Sequence, residues 1–102
     1  MKTEEITLTP MESSRGIQFQ NLGGYTLSIG FGGGHYCDNY SKRYDAMPEA
    51  TATMEVAILD GDSTFVVLTD DVAAYVPVSV LGSLINAVTA NDWELVKKLC
   101  TQ

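Results

Sequence analysis

Ten consecutive positions hold the chain's single histidine, three of its five tyrosines and two of its six basic residues: His35, Tyr36, Tyr40, Lys42, Arg43 and Tyr44. They follow directly on Gly32-Gly33-Gly34. Glycine lets backbone amides approach an anion closely, tyrosine offers a stacking face with a hydroxyl, and arginine offers a planar fork for phosphate or carboxylate. Together these types suit a nucleotide-like or peptide ligand, so the expected ligand-binding set is Gly32, Gly33, Gly34, His35, Tyr36, Tyr40, Arg43 and Tyr44. Spacing removes the phosphate-loop version, because neither GxGxxG nor GxxxxGK[ST] is met and no helical pattern follows to supply a dipole. A competing reading has the glycines as a bulged strand exit and the tyrosines lying across a sheet to tie a long loop down.

The other candidate chemistry is thinner. His35, Cys37 and Asp38 carry side chains that ligate metals or act as nucleophile and base, yet no second histidine exists to complete a site. Cys37 and Cys100 are far apart and lack CxxC spacing, so reduced thiols are expected and neither a disulfide framework nor a zinc site. Asp60 and Asp62 resemble the start of a calcium loop, but Phe65, Val66 and Val67 stand where oxygen ligands are required. Glu55 alternates with apolar neighbours and reads as a solvent-facing strand residue. Trp93 reads as core. No metal, cofactor or catalytic set is expected.

The elements that position these residues follow from periodicity. Glu5 to Thr9 alternates and is stopped by Pro10, which suits a short edge strand. Ile17 to Gln20 alternates again, and Asn21-Leu22-Gly23-Gly24 tolerates positive φ, predicting a hairpin into the strand Tyr25 to Phe31. There Tyr25, Leu27, Ile29 and Phe31 share one face. Residues 32 to 50 show no period and form a long loop. Thr53 to Leu59 and Ser63 to Leu68 are predicted to pair about a two-residue type I′ turn at Asp60-Gly61. Val72 to Val78, interrupted by Pro77, fits either extended chain or a helix lead-in. Leu81, Leu84, Ile85 and Val88 fall on one helical stripe, and Asn91 is read as the cap of a last helix carrying Trp93, Val96, Leu99 and Cys100. The expected fold is one α+β domain over residues 1–102, with antiparallel β-hairpins, about five strands, packed against one or two C-terminal helices.

Charge is divided unevenly. Residues 1–44 hold four bases and four acids, whereas residues 45–102 hold two bases against nine acids, so the second half carries the whole net charge of −7. An anionic surface repels phosphate, which excludes duplex nucleic acid as a general ligand. Two acids follow Met1 where a secretory signal needs its apolar core, and no apolar run approaches membrane-spanning length. A cytoplasmic protein without a membrane partner is expected.

The run Gly24-Tyr25-Thr26-Leu27-Ser28-Ile29-Gly30-Phe31-Gly32-Gly33-Gly34-His35-Tyr36-Cys37-Asp38-Asn39, together with Met54-Glu55-Val56-Ala57-Ile58, resembles a pattern seen in small uncharacterised bacteriophage proteins. The resemblance implies a phage-encoded protein working in the host cytoplasm. Small accessory proteins of that kind act by binding, either blocking a host or defence protein or sequestering a signalling molecule. The expected function is therefore a non-enzymatic, acidic binding protein that inhibits a host or defence protein. Sequestration of a nucleotide-like ligand by the Gly/Tyr loop and a role in virion assembly are the alternatives.

Overall fold

The computed structural model describes residues 6–10, 16–31, 37 and 51–101. Five strands, β1 (Thr7–Pro10), β2 (Gly16–Leu22), β3 (Tyr25–Gly30), β4 (Thr53–Leu59) and β5 (Val72–Pro77), form one antiparallel sheet in the order β1-β2-β3-β4-β5. A 3₁₀ turn at Val78–Val80 leads into α1 (Leu81–Thr89), and α2 (Trp93–Cys100) follows. The expected α+β arrangement of five antiparallel strands and two C-terminal helices is what the chain adopts.

Register puts the core on one face. Leu8 pairs with Phe19, Phe19 with Leu27 and Leu27 with Ile58, while Ile17 pairs with Ile29 and Ile29 with Val56. Partners across an antiparallel ladder share a face, so these residues make two apolar rows. Leu84, Ala87 and Val88 of α1 and Val96, Leu99 and Cys100 of α2 pack onto that face with Leu27, Ile29, Met54, Val56, Ile58 and Val76. The other face carries a polar chain in which Thr26 Oγ1 donates to Gln20 Oε1 (2.8 Å), Gln20 Nε2 to Gln18 Oε1 (3.4 Å) and Gln18 Nε2 to the buried Ser28 Oγ (3.4 Å). Ser28 is thereby spared the cost of an unpaired buried hydroxyl.

The β2–β3 hairpin forms as its sequence predicts. Gly23 (φ 58°) and Gly24 (φ 91°) take the paired positive angles of a type I′ turn between Leu22 and Tyr25. Asn21 (φ 66°) marks a bulge where β2 carries one extra residue, and Tyr75 (φ 53°) marks another in β5.

The second hairpin differs from expectation. Asp60-Gly61 does not form a type I′ turn, since Gly61 keeps negative φ. Instead Ser63 takes the left-handed conformation (φ 60°), its N–H donates to Asp60 O, and the Asp60 carboxylate accepts from the amides of Asp62 and Thr64. Ser63 to Leu68 makes a single bridge, Leu59 to Phe65, before Val67 (φ 74°) turns the chain away through a Leu68 N–H to Val66 O bond of 2.8 Å. The strand that pairs with β4 is Val72–Pro77. The left-handed turn at Val67 takes Phe65-Val66-Val67-Leu68 off the sheet after its one bridge, whereas β5 buries Val76 toward the helices.

The helix junction also corrects the reading of its caps. Asn91 (φ 54°) ends α1: its N–H donates to Val88 O and that of Asp92 to Ala87 O, the two bonds of a Schellman motif. Asp92 is the residue that caps α2, its carboxylate accepting from Leu95 N at 3.3 Å. Glu94 near the start of α2 and Lys97 and Lys98 near its end suit the helix dipole.

Candidate functional site

The residues expected to bind ligand, Gly32, Gly33, Gly34, His35, Tyr36, Tyr40, Arg43 and Tyr44, all lie outside the described residues, as does Asp38. From that segment Cys37 is described. It is buried, with 1% of its surface exposed, and stands outside the core cluster under the helices. Neither cysteine forms a disulfide. Glu55, expected to face solvent, is half-buried on the face away from the helices, opposite Gly30. Trp93 is core-packed as expected, its ring 4.7 Å from that of Tyr25 in an edge-on arrangement. Among the described residues no group of three or more His, Cys, Asp or Glu could hold a metal ion, and no helix is long and apolar enough to cross a membrane.

What the structure adds is an open portion of the core face. The helices cover the centre of the sheet and leave β1 and the start of β2 more open: along one row exposure falls from 64% at Leu8 to zero at Leu27 and Ile58, and in the next row from 39% at Ile17 to zero at Val56. At the margin of this bare region lies a groove of about 210 Å³ lined by Ile17, Phe19, Ile29, Phe31, Met54 and Leu81. Val78, 36% exposed, stands at its helix side. Val78 belongs to the 3₁₀ turn that Pro77 sets up with φ −61° and ψ 132°, and that turn holds the start of α1 above the sheet. Among the described residues the lining of this groove holds no acid or base, and Thr51 is its one polar side chain. It can take an apolar side chain and exclude water from it.

A second cavity, of about 590 Å³, lies between the approach to β5 and the end of α2, with Leu68, Val72, Ala73 and Cys100 in its wall and Asp70 and Lys97 as its charged lining. Its approach segment carries left-handed backbone at Val67 and Asp71. Burial pushes the Cys100 thiol up to about 11, so at neutral pH it is a protonated, weakly nucleophilic group. The folded protein keeps this proton up to a pH near 11, while an unfolded chain releases it near the ordinary value of 9.0. Stability is accordingly unaffected by this group below that window and falls as the pH rises across it. Urea unfolding of the wild-type protein at stepped alkaline pH should show this slope, and Cys100→Ala should lose its share of it. Equal slopes in the two proteins would mean that the thiol is not desolvated.

The groove has no local signature, because its residues come from three strands and the helix approach, and their openness depends on where the helices stop. The alternation at Ile6 and Leu8 beside a strand-ending proline was the one available hint of an exposed edge. No protein-family model matches the chain, and comparison with curated proteins and with solved structures finds no match either.

Proposed function

We propose that this chain is a non-enzymatic binding protein that docks on another protein through the groove beside β2. The observation that supports this reading is the groove itself, an almost wholly apolar depression flanked by the exposed side chains of Ile17 and Val78. Single exposed apolar residues are ordinary, but a contiguous apolar depression marks a place where a partner's side chain is desolvated. The resemblance to small bacteriophage proteins gives the partner as a host or defence protein in the bacterial cytoplasm, inhibited by occupation of its surface. The acidic second half of the chain adds attraction for a basic rim on that partner, so association quickens at low salt.

The test compares tagged wild-type protein with Ile17→Glu in bacterial lysate at low and high salt, after circular dichroism has shown that both fold. A partner held by the wild type and lost by Ile17→Glu is expected, because a charge in the groove must be desolvated unpaired, at a cost of about 2 kcal/mol or more. Absence of any partner at low salt, or capture indifferent to Ile17, overturns the reading.

A further inference from the structure

We infer that the outer edge of β1 pairs with the same edge of a second copy of this chain about a twofold axis, joining two sheets into one of ten strands. Three observations converge on a second copy as the occupant. β1 is the outermost strand of the sheet, and among the described residues nothing pairs with its free side, so a row of backbone donors and acceptors is open to another strand. The edge run Ile6-Thr7-Leu8-Thr9-Pro10 carries no charge, and Ile6 and Leu8 are 53% and 64% exposed, while Pro10, which has no N–H, and the four-residue length of β1 limit pairing to a short register.

Second, the run is its own complement. Thr7-Leu8-Thr9 reads the same from either end, so an antiparallel pairing centred on Leu8 sets Leu8 against Leu8 and Thr7 against Thr9 of the other copy. An apolar cross-strand pair is favourable, and a twofold contact requires this self-complementarity. An axis perpendicular to the sheet keeps the helices of both copies on one side. Leu8, Ile6 and the half-buried Phe19 of each copy then meet in a trough between two helix layers. A foreign peptide added to the edge would satisfy the backbone but bring no second helix layer to enclose the trough.

Third, charge permits the approach. The net charge of −7 belongs to residues 45–102, while residues 1–44 are balanced. The acidic turns at Asp60, Asp62, Asp70 and Asp71 belong to the β4–β5 side of the sheet, three strands or more from β1. At about 4.8 Å per strand that is about 14 Å, beyond a Debye length of about 8 Å at physiological salt. A contact limited to one four-residue strand and a few side chains falls at the small end of stable interfaces. The dimer is therefore weak and concentration-dependent.

Sedimentation equilibrium across a rising concentration series tests this. The wild type is expected to pass from the mass of one chain to that of two, and Leu8→Lys to need at least about tenfold more protein for the same dimer fraction. Ile6→Lys is the second edge variant, used if Leu8→Lys fails to fold by circular dichroism. Leu95→Lys, on an exposed position of α2, is expected to dimerise like the wild type. A wild type that stays monomeric throughout, edge variants that dimerise as well as wild type, or loss of the dimer in Leu95→Lys each overturns the pairing. The Ile17→Glu capture experiment reads binding of a foreign partner and sedimentation reads self-association, so either proposal can fail without the other although Phe19 borders both surfaces.

Discussion

Gly23→Ala is expected to lower the unfolding free energy by about 2–4 kcal/mol, and the melting temperature by more than about 10 °C. Two costs add at this position. The residue holds φ 58°, where a Cβ is disfavoured by about 1–2 kcal/mol. A Cβ there would also lie 2.5 Å from Thr89 O and 2.8 Å from Asn91 Nδ2, and 3.2 Å from the Thr89 carbonyl carbon, so it must push against backbone at the end of α1. Asn91 Nδ2 is itself engaged, donating to Val88 O at 3.0 Å and to Gly23 O at 3.4 Å. Gly24→Ala separates the two costs: it holds φ 91° but its Cβ would meet nothing within 4 Å, so only the backbone penalty of about 1–2 kcal/mol applies. Thermal unfolding of the pair decides the matter. Equal losses in both variants would show that the β2–β3 turn does not press on the helix junction.

Leu84→Ala is the largest single side-chain effect expected, a loss of about 3–5 kcal/mol. Leu84 has no exposed surface and packs among the strand side chains of the core. Truncation removes three carbons' worth of contact and leaves a void that a sheet on one side and α2 on the other cannot easily close. Alanine is the better helix former, so the loss is a packing loss and not one of propensity. Against a total stability of about 5–15 kcal/mol this is a large fraction. Urea unfolding should show the midpoint falling steeply with an unchanged slope, while Leu95→Ala, on the exposed side of α2, should stay near the wild type. A drop below about 1 kcal/mol would mean that α1 is not packed against the sheet.

Much of this architecture can be read from local pattern, and the failures share a cause. β3 and β4 announce themselves because alternate residues face opposite environments, as Leu27 and Ile29 or Val56 and Ile58 do under the helices. The β2–β3 turn is legible because only glycine takes two successive positive φ angles without strain. Asp60-Gly61 misled because the same dipeptide also begins a three-residue loop in which the aspartate side chain, not the glycine, makes the turn. Asn91 and Asp92 could each have capped α2; the choice fell to Asp92 because Asn91 tolerates the left-handed angle that ends α1. Val72–Pro77 was ambiguous because its run shows no clean alternation, and its bulge at Tyr75 breaks the period-two pattern that identifies strands. The groove and the β1 edge depend on how far two helices extend across five strands, a tertiary quantity with no local signature.

The order of the strands also bears on how the chain reaches this state. Every pairing in the sheet joins strands that are consecutive in sequence. The β2–β3 hairpin closes over two glycines and the helix pair over three residues, Ala90 to Asp92, so both can form within a search limited to close neighbours. The exception is β3 with β4, which must meet across the whole connection from Gly30 to Thr53, and closing so long a loop costs chain entropy before any contact rewards it. That closure is the step expected to limit the folding rate. Shortening the connection should therefore accelerate folding while leaving the unfolding rate of the sheet nearly unchanged.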